Sequence, residues 1–369
     1  MNGAFALALT LAAASPAEER FLASEVIEVA RVPGPLRADA RAASWSVLPA
    51  TRVLLAPQRT VRLHDRDANE ALDVLGAPRA LEVRAVHDGR LLAIVLDWDD
   101  ETEDRAAASE TDRFGDGAAI ELPFSFGAGV RLPYVGMGDE AAPAMLYLAR
   151  AVENGTMGRE LVAAGFGSST RSSLGGAGFE MRYHAASRSW RAVFVRPLDA
   201  AGQDLRAGLV PIAFALWDGA RHERGGNKAL SSWKVLRMAG SRVDERYLAE
   251  LSWGFDGRGD VVRGKQLVDT VCGACHRAGD KRTAPLGLAP PLDDMGLVAT
   301  PSYLRESMLA PSAVVVPGKG WSSRGAEGTR ASVMPPFACL PPADVDAVVA
   351  YLRTLGVPAA TTKAEGGKP

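Results

Sequence analysis

The stretch Val271-Cys272-Gly273-Ala274-Cys275-His276 decides how the C-terminal part of this chain is read. Two thiols three residues apart on a helical turn can each add to one vinyl group of a haem, and the adjacent imidazole reaches the iron. A thioredoxin-like dithiol would need a βαβ setting and has no use for the following histidine. A zinc site would need more cysteines or histidines nearby, and only the distant Cys339 remains. With 3 cysteines in 369 residues, a disulfide-stapled miniature fold is excluded. Cys339 itself reads as a small apolar residue with no partner.

An electron-transfer haem needs a second axial ligand, and a thioether sulfur raises the potential by favouring ferrous iron. Met334 is the candidate, in Ser332-Val333-Met334-Pro335-Pro336-Phe337, where the prolines stiffen the ligand loop; Met295 and Met308 are its rivals. Beyond it, Val345, Val348, Leu352 and Leu355 fall on one face of a helix that starts at Pro342 and stops before Gly356. From about Asp256 to Pro358 the chain resembles the class I cytochrome c family. The resemblance is carried by Gly264-Lys265-Gln266-Leu267, the Cys272 to His276 motif, Ala289-Pro290-Pro291-Leu292, Met334-Pro335-Pro336-Phe337 and Ala347 to Arg353. It implies an all-α domain with haem c held covalently by Cys272 and Cys275 and ligated by His276 and Met334.

Working outward, Glu18 to Phe255 shows short apolar runs divided by Gly, Pro and Asp clusters, the pattern of an all-β sandwich or barrel. Leu81 to Val86 alternates with a period of two, and Leu91 to Leu96, Ala118 to Leu122, Trp190 to Val195 and Leu209 to Trp217 are further strands. A chain of this length suggests two domains. The 42 Lys+Arg against 44 Asp+Glu leave a net charge of -2, which excludes a polybasic nucleic-acid binder and disfavours strong electrostatic steering.

Three segments of this first part resemble the haem-binding γ subunit of the ethylbenzene dehydrogenase and dimethyl sulfide dehydrogenase group, type II enzymes of the dimethyl sulfoxide reductase family. They are Phe114 to Pro123, Tyr134-Val135-Gly136-Met137-Gly138, and Ala213 to Gly219 leading into Glu223 to Trp233. The resemblance spans about residues 20 to 240. It implies a β-sandwich, like a carbohydrate-binding module, with one non-covalent haem b between Met137 and Lys228. Met145, in Ala144-Met145-Leu146-Tyr147-Leu148, is a rival ligand. A lysine ligates iron only as the neutral amine, so the site must be dry enough to depress a pKa that starts near ~10.4. Tyr147, Trp217 and Trp233 read as core.

The apolar run Ala4 to Ala14 reads as a secretory leader, too short to span a bilayer, and no later stretch is a membrane span. The expected organisation is a leader over 1–17, the γ-like domain over 18–255, the cytochrome over 256–358 and a disordered tail over 359–369. Gly165 to Gly178 lacks the Gly-Lys-Ser/Thr ending of a phosphate loop, and Asp97-Trp98-Asp99-Asp100-Glu101 lacks EF-hand spacing and reads as a solvated turn. Together the resemblances imply a periplasmic dihaem electron-transfer subunit without a catalytic residue of its own. Its partners would be the iron-sulfur and molybdopterin subunits of an oxidoreductase and a soluble or membrane electron carrier. The alternative is a single-haem cytochrome c carried by a haem-free sandwich that acts as a docking module. A haem enzyme or redox sensor would need a vacant iron position.

Overall fold

The structure, a computed structural model, describes residues 14–59, 78–107, 112–172, 176–200, 202–206, 208–280, 284, 288–315, 321–324 and 330–357. Most of the expected leader and the whole expected tail lie outside the described residues. Helix α1 (Pro16–Glu25) opens the described chain with a capping box, Ser15 and Glu18 each accepting from the other's backbone N–H.

Strands follow in the order β1 Val26–Arg31, β2 Thr51–Pro57, β3 Arg79–His87, β4 Leu91–Asp99, β5 Gly117–Pro123, β6 Ala144–Val152, β7 Gly155–Ala163 and β8 Thr170–Arg171. Then come β9 Gly178–His184, β10 Ser189–Pro197, β11 Asp199–Ala200, β12 Gln203–Asp204, β13 Leu209–Trp217, β14 Ala229–Leu230 and β15 Lys234–Met238. All but β11 and β12 join one sheet along β8-β7-β6-β5-β13-β14-β2-β3-β4-β10-β9, with β1 and β15 attached beside it. Two strands change partners midway. The first half of β13 pairs with β15 and its second half with β5, while β2 pairs with β3 up to Leu55 and with β14 from Ala56.

Strands that switch partners in this way turn the corners that fold one sheet into two facing layers. Val53, Leu81, Ile94 and Phe194 from one half share a buried core with Ile120, Met145, Tyr147 and Phe214 from the other. The strands expected from alternation and from apolar runs are therefore present, and the continuous run in β13 is a strand buried along its whole length. The glycine- and serine-rich segment after Gly165 leads into β8 and not into a helix, although residues 173–175 within it lie outside the described residues.

Helix α2 (Glu245–Leu251) packs with α1 through Tyr247 and Phe21, and the cytochrome-like part begins beyond it. Its helices are α3 (Val261–Thr270), α4 (Met295–Val298), α5 (Pro301–Leu309) and α6 (Pro342–Leu352). It also contains a two-stranded ribbon, β16 (Ser322–Arg324) with β17 (Arg330–Ser332), so the expectation of helices alone is corrected: long loops between the helices leave room for strand pairing. Helices α3 and α6 cross so closely at Gly264 that a Cβ there would lie 2.0 Å from the carbonyl oxygen of Ala347. Val345, Val348 and Leu352 of α6 are buried as their spacing requires, and Leu355 packs at the edge of the same cluster. No helix among the described residues is long and apolar enough to cross a membrane.

Candidate functional site

Asp260 caps α3, its carboxylate accepting from the N–H groups of Val262 at 2.9 Å and Arg263 at 3.0 Å, and the helix delivers the chain to a tight turn over Cys272–Ala274. The N–H groups of Cys275 and His276 both donate to the carbonyl of Cys272, at 3.0 and 2.8 Å. The turn brings Cys272, Cys275 and His276 to the wall of one cavity of about 490 Å³, mostly apolar, with Leu292, Leu304, Trp321 and Phe337 among its lining. Met334 lines the same cavity from the loop after β17, where its N–H donates to Ser332 Oγ at 3.1 Å. Met295 and Met308 line it as well, both buried in the helical core, whereas Met334 is half-buried.

His276 Nδ1 lies 2.7 Å from the carbonyl oxygen of Pro290. A carbonyl only accepts, so Nδ1 carries the proton and Nε2 keeps the free lone pair that a metal requires. Burial holds the imidazole below its ordinary pKa and hence neutral. Burial also pushes the Cys272 thiol up to about 11, so it is no reactive thiolate at neutral pH. An apolar cavity with two unpaired thiols on one turn and an oriented imidazole among its lining fits a covalently attached haem.

The backbone of Met137 and the amine of Lys228 both approach Glu121 on the outer face of the sheet. In β5, Ala118, Ile120 and Leu122 point into the main core, so Ala119 and Glu121 point out, as do Ala215 and Trp217 of β13 and Leu148 of β6. Lys228 is buried on this outer face, its Nζ 5.3 Å from the centre of the Trp217 ring. Glu121 is buried beside it. Burial drives the carboxyl of Glu121 up, opposed by Lys228 and by the backbone amides of Met137 and Gly138; burial drives the Lys228 amine down, opposed by Glu121.

Glu121 is thus the group that both expected ligands approach, and its Oε1 has no hydrogen-bond partner. Met137 is half-buried and holds a φ of 89°, rare for a residue with a side chain. The small alanines, the dry amine and the orphaned buried oxygen are a setting that suits a flat, iron-bearing macrocycle. The rival Met145 faces the main core on the other side of the sheet. Trp217 is buried as expected, in a small apolar cluster on the candidate face, while Tyr147 lies in the main core and Trp233 donates from Nε1 to the Pro133 carbonyl at 2.8 Å.

The acidic run beginning at Asp97 is not a simple solvated turn. Asp97 is ion-paired with Arg84 and Arg191, and Asp100 lies with Asp116 and Asp218 within 4.8 Å of one another. Asp116 is fully buried and accepts from the N–H groups of Asp104 and Gly219 and from Trp190 Nε1, each at 2.8 Å.

Residues 261–356 match the cytochrome c family. The chlorate reductase subunit gamma of Ideonella dechloratans is 33% identical over 244 residues, which cover 64% of this chain and 94% of that protein. The dimethylsulfide dehydrogenase subunit gamma of Rhodovulum sulfidophilum is 29% identical over 206 residues, covering 53% of this chain and 72% of that one. Among solved structures, a family 9 carbohydrate-binding module from Caldicellulosiruptor kristjanssonii aligns with 60% of this chain and 98% of its own at a TM-score of 0.34 and 8% identity.

Proposed function

This chain belongs to the family of the chlorate reductase and dimethylsulfide dehydrogenase γ subunits, with a cytochrome c domain at its C-terminus, and on that premise we propose that it is an exported dihaem electron-transfer subunit of a molybdenum oxidoreductase. The observation that carries the reading is the single apolar cavity whose lining collects Cys272, Cys275, His276 and Met334. Each haem, when bound, supplies a one-electron ferrous/ferric couple. Cys272 and Cys275 would hold haem c through thioethers, His276 would offer Nε2 to its iron, and Met334 its sulfur from the loop after β17.

On the sandwich, Lys228 would offer a neutral amine and Met137 a thioether to haem b, with Glu121 buried beside the lysine. The dry surroundings favour the neutral amine, since transferring an ammonium from water into such a site costs free energy. With two protein ligands offered to each iron, the haems would carry electrons and leave substrate chemistry to the partner. The protein wires a partner oxidoreductase, through its iron-sulfur subunit, to an external electron carrier. The leader-like run Ala4 to Ala14 supports a periplasmic location, where cytochromes c mature.

Haem content tests this. Acid-acetone extraction of the full chain, followed by a haem stain on a denaturing gel, leaves covalent haem on the chain, and the extract contains an equal amount of haem b. Absence of stain from protein made with maturation machinery defeats the cytochrome reading. Covalent haem with an empty extract, from cells supplied with haem, leaves the sandwich as a docking module.

A further inference from the structure

The cavity that collects the haem c residues is not closed by the cytochrome domain alone. Tyr134, Val135 and Leu230, all from the sandwich, form part of its wall, and Leu230 belongs to the same apolar cluster as Val298, Val348 and Leu352. These wall residues stand in the two segments that carry the expected haem b ligands. Val135 is two residues before Met137, so their Cα atoms are separated by no more than about 8 Å. Leu230 ends β14 and is two residues after Lys228, which directly precedes the strand, a span of about 7 Å where the chain is extended.

Hydrogen bonds hold both segments in place on either side. The Gly138 N–H donates to the Tyr134 carbonyl at 2.7 Å, closing the turn that contains Met137. Trp233 Nε1 ties the second segment to Pro133 at 2.8 Å, and the Ser232 N–H donates across the domain boundary to the Leu297 carbonyl at 2.7 Å. The Tyr134 ring meets that of Tyr303 in the cytochrome domain with centroids 5.6 Å apart.

We propose that Tyr134, Val135 and Leu230 form a fixed wall through which an electron passes between the two haem sites within one chain, with no docking motion of the cytochrome domain. The inference rests on the two-haem reading above. In each transfer one electron leaves a ferrous iron, which becomes ferric, and arrives at a ferric iron, which becomes ferrous; no bond is made or broken and no proton moves. Tunnelling falls off exponentially with separation, so a wall about two residues thick, packed and hydrogen-bonded in advance, makes the exchange fast and independent of diffusion. Val135 and Leu230 are positioning residues: they fill the gap and touch neither iron.

The test is photoreduction of the full chain loaded with both haems, with the two α-bands followed separately. A first-order exchange, its rate unchanged by protein concentration, by salt and by added glycerol, is the expected result. Val135→Ala with Leu230→Ala slows that exchange several-fold, and potentials measured on the same variant show that the driving force is not what changed. Exchange that is second order, or that slows in proportion to viscosity, overturns the relay even if the double variant fails to fold. A chain with no extractable haem defeats the two-haem reading itself, so the two failures are told apart by haem content before any kinetics are read.

Discussion

Gly264→Ala probes the joint that carries the haem c motif. The added Cβ would sit 2.0 Å from the carbonyl oxygen of Ala347, 2.7 Å from its carbon and 2.8 Å from Cβ of Tyr351, whereas ordinary contact begins at 3.4 Å. Two of these atoms are α6 backbone, which cannot rotate away, so α3 and α6 must separate by about 1.4 Å, the difference between 2.0 and 3.4 Å. A gap of about 0.5–1 Å already forfeits roughly a quarter to a half of each dispersion contact. The affected contacts are those of Leu267 and Val268 against Val345, Val348 and Tyr351. Overpacking with immovable neighbours belongs at or beyond the upper end of the roughly 1–3 kcal/mol range. Alanine returns about 1 kcal/mol of helix propensity. The net loss is about 2–4 kcal/mol, a large share of a domain's stability of roughly 5–15 kcal/mol. Guanidinium unfolding of the full chain, followed by haem c absorption so that only the cytochrome domain is read, should show a lower midpoint at an unchanged slope. A variant as stable as the wild type, or more stable, would refute the crossing at Gly264.

Met334→Ala keeps haem c on the chain but removes the thioether, and a potentiometric titration should show a lower haem c potential; an unchanged potential would pass the role to Met295 or Met308. Lys228→Ala abolishes the extractable haem while the gel stain persists, and equal extractable haem in variant and wild type would remove Lys228 from the ligand set. Burial, reinforced by mutual repulsion, raises Asp100 to about 6 and Asp116 to about 7. The folded chain therefore holds these protons where the unfolded chain has lost them, and stability falls as pH rises from about 4 to about 7, then levels. Denaturation midpoints across that range should show the decline, and Asp116→Asn should flatten it.

The cytochrome part was legible because its chemistry is contiguous: Cys272 to His276 is one turn of chain, and the α6 face recurs at helical spacing. The sandwich strands were legible from alternation in Leu81 to Val86 and from the unbroken apolar run of β13. Glu121 lies within the Phe114 to Pro123 motif, but its significance depends on β5 lying beside β13, which brings it near a lysine far along the chain. Trp217 is buried as expected, but its cluster with Ala119 and Ala215 lies on the outer face of the sheet, and which face of a doubly flanked strand looks toward the main core is decided by the partner sheet, not by the run itself. Asp100, Asp116 and Asp218 sit in separate loops or strand ends, and only the folded sheet gathers them.

The two parts of the chain share more than a covalent link. Ala56 at the corner of β2 and Leu230 in β14 are counted among the buried residues of the cytochrome's own apolar cluster, together with Val298, Leu304 and Val348. Apolar surface of this kind leaves water only while the two domains stay in contact, so separation would expose it on both sides. Strand β14 also serves the sandwich, pairing with β13 on one side and β2 on the other, so its position is set by the sheet. The same two-residue strand therefore follows directly on Lys228 and, through Leu230, lines the cavity that Cys272 and His276 share. A change in the sandwich that shifts β14 must move both sites together, and this shared element, more than the chain connection between the two parts, makes the protein one electron-transfer unit.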